Sequence, residues 1–118
     1  VRCAALRALG GVGPKGQVYA PDVCRCIYDE FPEVRVAAMA ALSEMGERGA
    51  SFADEVSEMT ADADESVRVA ALEALGKMGE SAKQFLGAIE GAQTDPSKAV
   101  QKAAKAAVAA LGTGAIME

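Results

Sequence analysis

The chain has 118 residues, a length that suits one domain, and its 17 acidic and 12 basic side chains give a net charge of −5, with no His and no Trp. An acidic balance repels nucleic-acid phosphates, so no nucleic-acid partner is expected, and no stretch of eighteen uncharged apolar residues occurs, so no membrane insertion is expected. Three cysteines, Cys3, Cys24 and Cys26, form no C-x-x-C pair, so reduced thiols in the cytoplasm or another reducing compartment, such as an organelle stroma, are expected rather than a zinc site or a disulfide framework.

Hydrophobic residues make up 51% of the chain but aromatics only 4%, so a core here has to be assembled from small side chains. In chain order, residues 1–12 come first. Val1, Ala4, Ala5, Ala8, Leu9 and Val12 stand at offsets 0, 3, 4, 7, 8 and 11, which trace one face of an α-helix. Gly13 follows as a helix stop, because it can take the left-handed conformation that satisfies the last carbonyls. A second apolar helical face runs through Tyr19, Val23 and Cys26 and closes at Asp29. The first phrase returns at Val34 with Ala37, Ala38, Ala41, Leu42, Met45 and Gly46, and the second at Phe52, Val56, Met59 and Asp62. Val67 to Gly79 and then Phe85, Ile89, Ala92 and Asp95 make the third round. Val100, Ala103, Ala104, Ala107, Val108, Leu111 and Gly112 open the fourth. Phrases therefore start at 1, 34, 67 and 100, a period of 33 residues without insertion. Asp62 with Glu65 has the spacing of a capping box, and Asp95-Pro96 sets a Pro at the first position of the last helix.

Each unit is a helix pair whose apolar face it cannot bury alone, so neighbours must stack. One lone helix followed by three pairs predicts about seven helices in a single all-α unit over residues 1–118. Val1 falls inside a phrase, so the chain is expected to be part of a longer one.

The pattern V-R-x-A-A-x-x-A-L-x-x-x-G, with an Asp five residues before the Val, resembles the HEAT repeat, and most of all the short variety first noted in phycobilisome (bilin) lyases. The resemblance covers residues 1–112. Ankyrin repeats share the period, but their T-P-L-H signature is absent. The resemblance implies a right-handed α-solenoid of stacked helix pairs. The fourth copy departs from it: Gln101 stands where Arg2, Arg35 and Arg68 stand in the others, and Lys105 replaces Leu6, Met39 and Leu72. That reads as a terminal cap or a turn toward a different neighbour.

In HEAT-like proteins the Arg of the phrase and the turn Asp of an adjacent unit form a structural ladder. The resemblance implies that role for Arg2, Arg35 and Arg68 with carboxylates among Asp29, Asp62 and Asp95; a row binding anions on a phosphorylated partner is the alternative. HEAT-type solenoids present their second helices on a concave surface. Outward positions of those helices are Cys3, Val36, Val69 and Lys102, then Arg7, Ala40, Glu73 and Ala106, then Gly10, Ser43, Gly76 and Ala109. A strip of small and partly apolar residues, with Arg7, Val36, Ala40, Ser43, Val69, Glu73 and Lys102 at its centre, suits a partner helix or an extended peptide.

Catalysis is not expected. Lack of His removes the usual proton shuttle and metal ligand, which excludes the iron chemistry of HEAT-type deoxyhypusine hydroxylase. Gly10-Gly11-Val12-Gly13 follows a helix rather than a strand, so it is no phosphate cradle. No cofactor is expected. The best reading is a protein-binding scaffold or a structural subunit of a larger assembly. The alternative, implied by the bilin-lyase likeness, is an accessory to pigment attachment or a chaperone-like enzyme subunit. Eleven acids against Arg35 and Arg48 between Asp29 and Glu65 read as a solvated face or a dock for a basic partner, and Lys98, Lys102 and Lys105 as a soluble stripe on the last helix.

Overall fold

The computed structural model describes residues 5, 6, 8 and 19–116, with side chains described as far as Leu111. Ala5, Leu6 and Ala8 are helical; the rest of the first phrase, including Arg2 and Arg7, lies outside the described residues. Helix α1 (Ala20–Arg25) runs into a 3₁₀ turn at Cys26–Tyr28 and is followed by α2 (Pro32–Ser43). A single helical turn, α3 (Gly46–Ala50), leads into α4 (Ala53–Glu58), its 3₁₀ extension Met59–Ala61, and α5 (Glu65–Met78). A 3₁₀ segment over Gly79–Phe85 leads to α6 (Leu86–Gly91), a 3₁₀ turn at Ala92–Thr94, and α7 (Lys98–Ile116). No strand occurs among the described residues. Short helices begin at Ala20, Ala53 and Leu86 and long ones at Pro32, Glu65 and Lys98, so each element recurs after 33 residues.

The long helices form one layer and the short ones another. Helix α5 lies between α2 and α7, and α1, α4 and α6 pack on α2, α5 and α7 in turn. The columns of the phrase make this core: Val34, Val67 and Val100, then Ala38, Ala71 and Ala104, then Ala41, Ala74 and Ala107 are all buried. Ala38, Ala71 and Ala104 have no exposed surface at all, so the helices meet over methyl groups. Ala71→Leu is expected to overpack this contact and cost about 1–3 kcal/mol in urea unfolding. Leu6, Met39 and Leu72 are buried, whereas Lys105 in the same column of α7 is exposed, so that side of α7 faces solvent.

Glycine closes the turns after two long helices: Gly46 has φ +68° and Gly79, the C-cap of α5, has φ +61°. Helix α7 differs, since it continues through Gly112 to Ile116 instead of stopping there. Three other local expectations are corrected. Tyr19, Phe52 and Phe85 do not lead the buried face; each is the N-cap residue in front of a short helix, with Tyr19 50% exposed and the two Phe partly buried. The buried stripe carries Val23, Val56 and Ile89 as expected, joined by Ala20 and Ile27 in the first pair and by Ala53 in the second. The reason is geometric. Each aromatic stands one residue before the first helical position, so the buried face starts one residue later and keeps helical spacing, at offsets 0, 3, 4 and 7 through Ala20, Val23, Cys24 and Ile27 in the first pair. Cys26 and Met59 are accordingly half-buried, and only Ala92 of that column is buried.

The N-cap of α5 is Asp64, whose Oδ1 accepts the Ser66 backbone N–H at 2.8 Å; Asp62 and Glu65 form no capping box. Pro96 lies two residues before the start of α7, because Asp95 uses its side chain to shape the turn there. Proline does occupy the first helical position in α2, as Pro32.

Candidate functional site

The turn acids and the phrase arginines come together in a repeated arrangement. Asp29 Oδ2 accepts the Phe31 N–H at 2.9 Å, Asp62 Oδ2 the Asp64 N–H at 2.8 Å, and Asp95 Oδ1 the Ser97 N–H at 2.9 Å. Each Asp thereby fixes a tight turn onto its own backbone two residues on. Arg35 then donates from Nη1 to the Asp29 carbonyl at 2.7 Å and from Nη2 to Asp62 Oδ2 at 3.2 Å. Arg68 repeats this one unit later, with Nη1 on the Asp62 carbonyl at 2.8 Å, Nη2 on Asp95 Oδ1 at 3.2 Å and Nε 3.0 Å from Asp95 Oδ2. Each guanidinium therefore joins the turn before its own helix to the carboxylate of the following turn. Gln101 keeps the first half of the contact: its Nε2 donates to the Asp95 carbonyl at 2.6 Å.

The pairs are largely sheltered, with side-chain exposures of 16% and 14% for Arg35–Asp62 and 17% and 12% for Arg68–Asp95. Both arginines direct their Nη atoms to protein oxygens. Backbone N–H donation from Ser97, aided by Arg68, holds the Asp95 carboxyl below the usual carboxylate range, and hydrogen bonds from Ser66 do the same for Asp64. A folded-state value lowered in this way stabilises the fold above the unfolded carboxylate pKa of about 4, and the contribution is lost as pH falls through the lowered value. The melting temperature is therefore expected to drop most steeply below about pH 4, and Asp95→Asn is expected to flatten part of that fall in a pH series of thermal melts.

The row on the long helices is mixed. Ala40, Glu73, Lys102 and Ala106 are exposed, while Val36 and Val69 are half-buried against the core. Ser43 is half-buried and its Oγ donates to the Ala40 carbonyl at 2.7 Å. Arg7 lies outside the described residues. Between α5 and α7 the small residues leave a groove of about 400 Å³ whose walls include Leu72, Glu73, Gly76, Lys77, Ala103 and Ala106. Gly76 sets its floor: a Cβ there would lie 3.5 Å from Ala107 Cα.

Sequence reasoning missed Lys77, whose Nζ reaches Glu44 Oε2 at 3.4 Å across the repeat boundary. The signal was available, since Glu44 and Lys77 occupy the same column 33 residues apart. It also missed a second groove, on the short-helix side between α1 and α4, lined by Pro21, Cys24, Arg25, Tyr28, Phe52 and Glu55.

Among the described residues no group of three or more His, Cys, Asp or Glu side chains is placed to hold a metal ion. No helix among them is long and apolar enough to cross a membrane.

Helix pairs repeated in register, sharing one core and linked turn to turn by Arg–Asp pairs, define an all-α helical-repeat protein of the solenoid class. A model of HEAT repeats matches residues 21–109, and the chain belongs to the HEAT repeat family. A comparison with curated proteins finds no match. HEAT repeats generally serve as protein-interaction scaffolds, and the family is typically non-catalytic.

Proposed function

We propose that the chain is a non-catalytic scaffold or structural subunit of a larger assembly that takes a partner helix or extended peptide along the row of long helices, with residues 1–118 acting as one unit. The observation that carries this reading is the groove between α5 and α7. It is open and built from Gly76, Ala103 and Ala106, with Glu73 and Lys77 at hand for polar contacts. Small side chains let a helix or an extended backbone approach closely, and one acid and one base at the rim fix its orientation. Ala40, Ser43 and Lys102 extend the same row, to which the 33-residue register assigns Arg7 as well, and Val36 and Val69 supply apolar contact at its edge. In this reading the Arg–Asp ladder of Arg2, Arg35 and Arg68 with Asp29, Asp62 and Asp95 holds the row in register. A reducing compartment suits the unbridged Cys24 and Cys26.

A photo-crosslinking side chain placed at Ala40 or Ala106 in the native cell is expected to trap a protein that the same group at Glu90, exposed on the short-helix side, does not. The trapped protein should bind the purified chain and lose at least tenfold in affinity to Ala106→Glu, about 1.4 kcal/mol. Equal trapping from Glu90, or an unchanged affinity for the Ala106→Glu variant, would contradict the reading.

A further inference from the structure

Five aromatic side chains are present, two Tyr and three Phe. Tyr19, Tyr28 and Phe31 are the large apolar residues left exposed among the described residues, at 50%, 54% and 51%. All three fall within residues 19–31 of the first full pair: Tyr19 caps α1, Tyr28 ends its 3₁₀ turn and Phe31 caps α2. Tyr28 is held in place: its hydroxyl donates to Glu58 Oε1 at 3.0 Å, which ties the turn after α1 to the end of α4. Beside its ring runs the groove between α1 and α4, about 450 Å³, with Cys24 in its lining and Pro21, Phe52 and Glu55 along its sides.

The charges at this groove are unequal. Arg25 is already engaged, with Nη1 3.2 Å from Asp22 Oδ1. Glu55 and Glu58 take part in no ion pair among the described residues. The same carboxylates bear on two titrating groups. Burial, reinforced by Glu55 and Glu58, pushes the Cys24 thiol up to about 11. Burial and the hydrogen bond to Glu58 push the Tyr28 phenol up to about 12. An aromatic face fixed beside two carboxylates without cationic partners is complementary to one side-chain chemistry: a planar cation with an aliphatic stem.

We propose that the groove between α1 and α4 docks an arginine-bearing basic segment of a protein partner, its guanidinium lying against Tyr28 and pairing with Glu55 and Glu58. This surface is separate from the row of long helices, so a partner held there leaves this groove free. Arginine is favoured over lysine because the planar guanidinium both stacks on the ring and forks onto a carboxylate. Acidic or purely apolar segments are disfavoured by the same carboxylates.

The test is a ¹⁵N chemical-shift titration of the full chain with a synthetic Gly/Ser peptide carrying two arginines, and with its lysine and citrulline counterparts. Shifts are expected to concentrate at Arg25, Tyr28, Phe52 and Glu55. The arginine peptide should bind about threefold more tightly than the lysine one and at least about tenfold more tightly than the citrulline one. Glu55→Gln with Glu58→Gln should weaken binding by about tenfold and Tyr28→Leu by about threefold, while Glu47→Gln with Glu90→Gln changes it little. Glu55→Gln alone serves should the double variant fail to fold. Absence of saturable binding, equal binding of the citrulline peptide, or equal loss from the control pair would overturn the proposal. A dimer in sedimentation that Tyr28→Ser dissolves would assign the groove to a second copy of the chain and overturn it as well.

Discussion

Gly49→Ala is expected to destabilise the protein by about 3 kcal/mol, the upper end of what overpacking a tight site costs, although Gly49 lies in a one-turn helix. A Cβ on Gly49 would run into the Leu42 carbonyl and come within 3.0 Å of Met45 Cβ. Neither neighbour can give way. The carbonyl belongs to the last turns of α2, and Met45 is fully buried. The chain reverses here between the long helix α2 and the short helix α4 of the next pair, and it does so with its backbone in direct contact with the helix it has just left. Glycine is the residue that permits this approach. Urea unfolding should show a lower midpoint with a similar slope, since the folded state is strained while the surface exposed on unfolding is little changed.

Leu75→Ala is expected to cost about 2–5 kcal/mol. Leu75 is fully buried on α5, the layer that packs against both α2 and α7. Removing its side chain leaves a cavity that rigid helices cannot close, because the flanking columns are Ala residues already in contact and have no atoms to move into the gap. Few large side chains are available for compensation in a core this rich in alanine. Thermal melts should show one transition at a lower temperature. Leu42 occupies the same column in α2 and is equally buried, so Leu42→Ala serves as a comparison at a different level of the stack.

The ladder gives a smaller expected effect. Arg68→Ala leaves Asp95 without its guanidinium and the Asp62 carbonyl without a donor. Removing one partner of a fully buried pair costs about 3–5 kcal/mol. These side chains keep 17% and 12% exposure, so water screens part of the loss and about 1–3 kcal/mol is expected. Arg68→Lys should recover only part of it, because an ammonium cannot span the Asp62 carbonyl and the Asp95 carboxylate in the same fork.

Much of this arrangement could be read from residue spacing because the long helices keep one period from end to end. Val67, Ala70, Ala71, Ala74, Leu75 and Met78 mark a face that the folded helix buries residue for residue. The short helices were read less well. Tyr19 and Val23 have helical spacing, but Tyr19 stands at the cap, and whether a residue caps or leads a helix depends on how the preceding chain approaches it. The partner of each ladder Arg was left open among three acids, since Arg35 and Asp62 are 27 residues apart and only the stacking of one pair on the next brings them together. The groove beside Tyr28 was invisible for a related reason. Composition counts an aromatic as apolar whether it is inside or out, and Glu58, which accepts the hydrogen bond that holds Tyr28, lies 30 residues away.

That the tiers shelter one another's apolar faces, and so stand or fall together, is tested most directly by native-state hydrogen exchange on the Leu75→Ala variant. Protection should drop in α2 and α7 as well as in α5, because both lean on the layer that has lost its side chain. Loss confined to α5, with α2 and α7 exchanging as slowly as before, would contradict a shared core.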